Sequence, residues 1–519
     1  MARETDQEVV PGRRREVMVV LPGLMLAIML AMLDNMIVGT AMPRIVGELG
    51  GVDHLSWVVT AYVLGTTVST PLWGKIGDLY GRKNIFLTSI VIFLVGSALS
   101  GMAQSMGQLI GFRALQGLGA GGLFVGAMAI IGDLVPPRER GRYQGIMAAI
   151  MALAMIGGPL VGGLITDGLS WRWAFYVNLP LGGAALVWLV LRLHLPKYRT
   201  EHRIDWLGAG LLSLGITAIV LLTVWGGTEF PWASWQIIGL GVLAIVSLLV
   251  FVAVERRTVE PILPLGLFRN RNFAVVSGIG FLLGFAMFGA ITFLPLYQQT
   301  VQGLSATASG LWLIPMLLTM MAVSVFVGQI ITRTGRYRLF PIIGGVGMTV
   351  GMVLLATIDV STTTVELAMF MAMLGLGMGF LMQTTMLIAQ NSVEQKDLGV
   401  ASSSATFFRS IGGSFGVSLF GTIFARRLHD ELAASLGTRA ADGITSGGGR
   451  VNPETLGAMP AAIRDPLFHA ISSALAGVFV WAIPFAAVVA VLAFFIKEIP
   501  LRGGPEAART EEPAAAVAP

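Results

Sequence analysis

Val17-Met18-Val19-Val20-Leu21-Pro22-Gly23-Leu24-Met25-Leu26-Ala27-Ile28-Met29-Leu30-Ala31-Met32-Leu33-Asp34-Asn35-Met36-Ile37-Val38-Gly39 decides the fold. The run is 23 residues long, and its single charged side chain is Asp34. A helix that crosses a bilayer needs about 20 mostly apolar residues, whereas a barrel strand alternates over about ten. The stretch therefore reads as a membrane-spanning helix. It follows Arg13–Arg15, and its apolar run is too long for the core of a cleavable signal.

The same ruler applied along the chain marks fourteen spans, near 17–39, 55–73, 84–103, 107–131, 143–166, 173–194, 205–227, 235–254, 272–299, 306–332, 337–358, 365–389, 400–425 and 471–496. Composition agrees. Of 519 residues, 55% are hydrophobic and 12% charged, against roughly 25% charged in soluble domains, and the mean hydropathy is +0.78. A soluble multidomain protein is excluded. With no cysteine, so is a disulfide-stapled secreted one. Most of the chain is too apolar to remain disordered.

An even span count puts both termini on one side, and lysine and arginine say which. With the N-terminus inside, 25 of the 34 basic residues fall on inside segments and seven outside. The other two, Arg113 and Arg409, lie within spans. The net charge of +5 is thus the positive-inside pattern and gives no reason to invoke nucleic acid. The expectation is a multi-pass protein of the cytoplasmic (inner) membrane, an all-α polytopic fold with both termini cytoplasmic.

Two stretches repeat. Gly74-Lys75-Ile76-Gly77-Asp78-Leu79-Tyr80-Gly81-Arg82-Lys83 follows span 2, and Gly328-Gln329-Ile330-Ile331-Thr332-Arg333-Thr334-Gly335-Arg336-Tyr337 follows span 10. Gly157-Gly158-Pro159 in span 5 is echoed by Gly412-Gly413-Ser414 in span 13. Spans 1–6 therefore correspond to spans 9–14, with 7 and 8 an inserted pair. The organisation expected is a cytoplasmic segment 1–16, an N-terminal six-helix bundle 17–194, a linker 195–204, the inserted pair 205–254, a linker 255–271, a C-terminal bundle 272–496 carrying an outer loop 426–470, and a disordered tail 497–519. A short helix over 427–436 is compatible with that loop. Two related helical halves suit alternating access around a site near the midplane.

Gly74–Lys83 resembles the cytoplasmic signature of the major facilitator superfamily. Arg113-Ala114-Leu115-Gln116-Gly117-Leu118-Gly119-Ala120 is similar to its span 4 motif, and Gly158, Pro159, Gly162 and Gly163 to the span 5 motif of its antiporters. Leu33 through Pro43 and Trp171-Arg172-Trp173 through Asn178-Leu179-Pro180 resemble its fourteen-span drug/proton antiporters, which include quaternary-ammonium exporters. Met36 and Gly39 replace that group's usual Thr and Asn. Thr332 replaces the aspartate of the second loop copy, so only the first copy is expected to gate. The resemblance implies a transporter rather than an enzyme. It would be driven by the proton-motive force, carry no cofactor, and function as a monomer on small hydrophobic or cationic substrates among membrane lipids.

Asp34 carries the chemistry. Counted from Val17 it lies about 25 Å along the helix, inside a core of roughly 30 Å. A carboxylate there is costly unless it faces a cavity, is paired or is protonated. Such a group holds a proton or a cation, which is a minimal exchange device. The other reading is an aspartate bonded to a neighbouring helix for structure. Arg113 either tunes a nearby carboxylate or locks spans together. Arg409 reads as an accessory charge, more structural than functional. Gly74, Asp78, Gly81 and Arg82 form a latch in which Asp78 caps a helix N-terminus or pairs with an arginine. Gly158 and Pro159 kink span 5 while Gly162 and Gly163 let another helix approach; plain small-residue packing reads equally well. Met36, Tyr62, Phe285, Phe288, Tyr297 and Trp312 are possible substrate-lining residues, though packing faces and interfacial belts use the same types.

The sequence from Gly117 to Gly122 fits a dinucleotide pattern but lies in a membrane span with no preceding strand. No phosphate-binding loop, metal-ligand cluster or nucleophile elbow is present in the sequence. The leading expectation is a proton-coupled antiporter that exports hydrophobic, cationic drugs. The alternatives are an exporter of a lipid, glycolipid or metabolite on the same fold, an uptake symporter, and a membrane-embedded enzyme or sensor.

Overall fold

A computed structural model describes residues 11–49, 55–195, 205–227, 229–258, 260–304, 306–438, 441 and 461–501. The described chain is helical, with one isolated bridge between Gly226 and Phe230 as its only β pairing. Local chemistry sets several helix starts. Ser105 accepts from the Gln108 amide, Ser234 from Ile237 and Asp205 from Gly208, and Thr363 with Glu366 closes a reciprocal capping box. Each satisfies amides that the first helical turn leaves orphaned.

The helices are α1 (Pro11–Leu49), α2 (Leu55–Tyr80), α3 (Arg82–Gly101), α4 (Met106–Leu134), α5 (Pro137–Gly168), α6 (Trp173–Tyr176), α7 (Asn178–Arg192), α8 (Trp206–Trp225) and α9 (Trp235–Glu255). Then come α10 (Arg271–Thr300), α11 (Ala306–Leu311), α12 (Ile314–Thr334), α13 (Leu339–Leu355), α14 (Thr364–Asn391), α15 (Leu398–Leu436) and α16 (Ala461–Phe494). Eleven helical stretches among the described residues are long and apolar enough to cross a membrane. The other three expected spans fall in α2, α5 and α13. α13 is short, at 17 residues. α2 and α5 are diluted by polar and charged side chains, among them Thr66, Thr67, Ser69, Thr70, Lys75 and Asp78, and Glu139, Arg140 and Arg142.

Boundaries depart from expectation where polar sequence continues a helix. α15 runs unbroken to Leu436, so the short helix expected over 427–436 is its own continuation. Leu428 and Leu432 are buried there, and Glu431 accepts a hydrogen bond from Ser473 of α16 at 2.7 Å. α16 itself begins ten residues before the expected span. Expected span 6 is divided into α6 and α7, and span 10 into α11 and α12 ahead of Pro315. The N-terminal segment before residue 11, the linker 196–204, the outer-loop stretch 442–460 and the tail from 502 onward lie outside the described residues.

The chain forms two compact units: residues 1–204 with 393–403 and 500–519, and residues 205–392 with 404–499. In the first, α2 and α3 pack on α4, and α1 packs on α5 and α7. In the second, α12 and α13 pack on α14, and α10 packs on α16. The repeat is therefore one of packing as well as sequence. Gly117 and Gly121 of α4 lie against the carbonyls of Tyr62 and Thr66, as Gly375 and Gly379 of α14 lie against those of Met316 and Met320. Gly119 meets the Phe93 amide as Gly377 meets that of Met348. A β-carbon at any of these positions would overlap backbone of the facing helix, so close helix approach requires glycine.

Gly119→Val is expected to force α3 from α4, costing about 1–3 kcal/mol as overpacked cores do. Its thermal unfolding midpoint in detergent should fall, while that of Gly111→Ala, where a β-carbon meets open space, stays at or above the parent value. Equal midpoints for Gly119→Val and the parent would contradict the packing.

Candidate functional site

Asp34 is fully buried, and so is Arg113. The two meet: Arg113 Nη1 donates to Asp34 Oδ2 at 2.5 Å. The carboxylate's other oxygen, Oδ1, accepts from Gln116 Nε2 at 2.8 Å and from Asn178 Nδ2 at 2.7 Å. Gln116 in turn accepts from Arg113 Nη1 at 2.9 Å. Four helices supply this cluster. Arg113 and Gln116 stand one helical turn apart on α4, Asp34 comes from α1, and Asn178 is the first residue of α7. Ser97 of α3 accepts from Asn178 Nδ2 at 2.9 Å.

Aromatic rings wall the ion pair. The Arg113 guanidinium lies 4.0 Å from the centre of the Tyr62 ring and 5.8 Å from that of Phe175. Tyr62 donates its hydroxyl to the Ala31 carbonyl at 3.1 Å, one turn before Asp34. Cation–π attraction strengthens when water is excluded. A buried ion pair repays its desolvation only when its geometry is good and its remaining polar atoms are satisfied. Here the carboxylate is satisfied by three donors, while Arg113 Nε and Nη2 and Asn178 Oδ1 have no hydrogen-bond partner among the described residues. Satisfaction is uneven. The cluster directs its donors at the Asp34 carboxyl group.

Gly158 packs against the Met36 side chain, two residues beyond Asp34, and Gly157 lies close to Leu33. The span 5 motif thus seats α1 at the level of the carboxylate, and a side chain at Gly158 would displace it. Gly162 is buried and Gly163 partly so on the same helix; the Pro159 side chain lies outside the described ones. At the end of α1, Glu48 accepts from Trp171 Nε1 at 2.7 Å and pairs with Arg172 at 2.5 Å. These donors hold Glu48 below the usual carboxylate range. The Trp171–Asn178 stretch therefore fastens α1 near its end and again at Asp34.

The loop motif forms a second site. Gly81 has φ +96°, a region that glycine enters without penalty, and so turns α2 into α3. Arg82 donates to Asp78 Oδ1 from Nε at 2.9 Å and from Nη2 at 2.6 Å, and pairs with Asp133 of α4. Asp78 accepts the Gly399 amide at 3.1 Å and the Val400 amide at 3.0 Å. It caps the start of α15, whose first residues belong to the same unit, as a carboxylate at a helix's positive end should. Gly74 and Gly399 lie too close for side chains. Burial outweighs the arginine and amide donors and pushes the Asp78 carboxyl up to about 6.

The remaining candidates are dispersed. Arg409 is buried in α15, with its backbone carbonyl against Gly284 of α10. Phe285 is buried between Phe420 and Phe485, with ring centres at 4.8 and 4.6 Å. Tyr297 is buried and donates to the Asp359 carbonyl. Phe288 is 40% exposed and abuts Gly413; Met36 and Trp312 are partly buried. Of the aromatics expected to line the substrate path, Tyr62 alone lies beside the ion pair. Sequence reading missed Ser97 and Asp133, and it quoted Gln116 and Asn178 without assigning them to Asp34. Periodicity within α4 does put Gln116 beside Arg113. Nothing local points from residue 178 to residue 34.

Among the described residues no group of three or more metal-ligating His, Cys, Asp or Glu side chains occurs. Residues 24–417 match the family model of the Major Facilitator Superfamily. The chain is 37% identical over 513 residues to the multidrug transporter protein MdtP of Bacillus subtilis, covering 94% of this chain and 95% of that protein. It is 38% identical over 471 residues to multidrug resistance protein 3 of the same organism, covering 89% and 91%. An uncharacterised MFS-type transporter of Mycobacterium tuberculosis is 40% identical over 495 residues, covering 95% of this chain and 70% of its own length. In three dimensions the chain is similar to the human organic anion transporter MFSD10 (TETRAN), with TM-score 0.58 and 15% identity over 92% of this chain and all of that one, a likeness of fold. These relatives are transporters rather than enzymes, and the chain is a membrane-embedded, multi-span protein that belongs to the major facilitator superfamily.

Proposed function

We propose that this transporter is a proton-coupled antiporter that exports hydrophobic, cationic compounds across the cytoplasmic membrane by alternating access. Its full complement would be fourteen spans, two related six-helix bundles plus the pair α8 and α9, with both termini cytoplasmic, working as a monomer without a cofactor. The observation that carries the reading is the buried Asp34, held by Arg113 in an aromatic-walled cluster. The multidrug names of two relatives support the substrate class.

The pair refines the exchange. In this conformation the cation beside Asp34 is the guanidinium of Arg113 itself. A proton arriving on Asp34 neutralises the carboxylate and releases Arg113; loss of the proton restores the pair. Proton and cation thus compete for one carboxylate, and α1, α4 and α7 sense which is bound. Each proton moving inward supplies about 2.3 kcal/mol per 100 mV, besides its concentration term.

Ethidium efflux from energised vesicles should cease when a protonophore is added. Asp34→Asn should abolish proton-driven efflux at unchanged membrane insertion. Because it leaves Arg113 buried without its counter-charge, which typically costs about 3–5 kcal/mol, Asp34→Asn/Arg113→Gln serves as the folded control and should also be inactive. Undiminished, uncoupler-sensitive efflux by either variant removes Asp34 from the mechanism.

The cap on α15 acts as the conformational latch, so Asp78→Ala should slow turnover. The chain has no cysteine, so Ser402→Cys, at a buried position beside the cap, makes a single reporter. Asp78→Ala should raise its alkylation rate several-fold, and an unchanged rate would dismiss the latch. The pH dependence has a definite sign. Asp78 at about 6 in the capped form against 3.8 for an ordinary aspartate means that the capped form binds a proton more tightly than one releasing Asp78 to water. Acid therefore favours the cap, and that favour is lost as pH rises through about 6. Relative to Asp78→Asn, alkylation should quicken from pH 5 to pH 7.

A further inference from the structure

Asn178 is a buried polar side chain at the start of α7. It is the first residue of α7, just after the cap position Val177, which offers no side-chain cap. The carboxamide turns inward. Its Nδ2 spends both hydrogens, on Asp34 Oδ1 at 2.7 Å and on Ser97 Oγ at 2.9 Å, while its buried Oδ1 has no partner among the described residues. A free amide would not choose to leave its oxygen bare. Its orientation is imposed from two sides. Ser97 donates its hydroxyl to the Phe175 carbonyl at 2.9 Å, which leaves the Ser97 oxygen facing Asn178 as an acceptor. Asp34 Oδ1 takes the second hydrogen.

We infer that Asn178, oriented by Ser97, is a positioning residue that sets how readily Asp34 takes up a proton. The inference rests on the reading of Asp34 as the proton-binding group. Arg113 is charged at every physiological pH, so its pull on the carboxylate is constant. Asn178 and Gln116 donate to Oδ1 and stabilise the ionised form more than the protonated one, because a neutral carboxyl oxygen accepts less strongly than a carboxylate oxygen. Gln116 is divided between Asp34 and Arg113. Asn178 carries no such second charge, and its anchor reaches Asp34 through nothing else. The other groups facing Asp34 are few. Arg113 comes from α4 and the titratable Tyr62 from α2, whose hydroxyl is committed to Ala31. α3 and α6 contribute Ser97 and Phe175. In α5, which packs on α1, the charged residues Arg138, Glu139, Arg140 and Arg142 fall in the opening turns and Asp167 in the last.

The test uses the full-length protein in proteoliposomes, with ethidium efflux driven by an imposed proton gradient and followed from acidic to alkaline pH. Asn178→Ala should move the midpoint of the pH profile upward by about one unit, a tenfold change in proton binding, with the maximal rate kept within a few-fold. Ser97→Ala, which acts on Asp34 only through Asn178, should shift it the same way by less. The double variant should match Asn178→Ala alone, since one removes what the other orients. Additive shifts, or a loss of rate at every pH with an unmoved midpoint, would overturn the inference. If Asn178→Ala does not fold, Ser97→Ala and its hydroxyl-restoring partner Ser97→Thr decide the matter by the presence and rescue of the shift. Asp34→Asn run alongside separates the failures. Active, uncoupler-sensitive Asp34→Asn refutes the proton site and this inference with it, whereas an inactive Asp34→Asn beside an unshifted Asn178→Ala refutes this inference alone.

Discussion

One contact organises the N-terminal unit: a carboxylate from α1 and a guanidinium from α4, both wholly removed from solvent. Neither charge could be stably buried at this depth alone, because stripping water from an ion costs more than apolar packing returns. Their mutual neutralisation therefore fixes how α1 and α4 face each other. It also accounts for the neighbours. Gln116, Asn178 and Ser97 complete the hydrogen bonding of the carboxylate, and Tyr62 and Phe175 provide faces for the guanidinium. Gly157 and Gly158 bring α5 close enough to hold α1 in register.

The same economy governs the loop between α2 and α3. Asp78 carries two obligations, to Arg82 and to the amides at the start of α15. A glycine with positive φ makes the turn, and glycines at 74 and 399 let the backbones meet. The second copy keeps the turn, since Gly335 also has positive φ, but has Thr332 in place of the acid, and Thr332 bonds its own helix at Gly328. Packing was retained in both copies. The charge that caps α15 is present in the first copy only.

How much was legible beforehand depends on the range of the interaction. Membrane spans are written in runs of apolar residues, whereas the close packing at the glycines of α4 and α14 emerged only with the structure. Asp34, Arg113 and the loop residues could be singled out because a charge in an apolar run, or a full motif, is itself a local signal. Most of the aromatic candidates failed to gather at the ion pair for the opposite reason. A phenylalanine has the same local appearance in a core, at a lipid face or in a binding wall, and Phe285 and Tyr297 are committed to packing or backbone contacts.

The sequence by itself determined the helical membrane fold, the internal repeat, the lone charge of Asp34 within an apolar run and the glycine-bearing loop motif at 74–83. Each follows from properties of consecutive residues: hydropathy, period and backbone freedom. Only the tertiary structure decided that Asp34 pairs with Arg113, 79 positions away, that Asn178 donates to that carboxylate, and that Asp78 caps α15. Those choices depend on which helices are brought together. Buried polar atoms find whatever partner packing puts within reach, and distance along the chain does not enter that account.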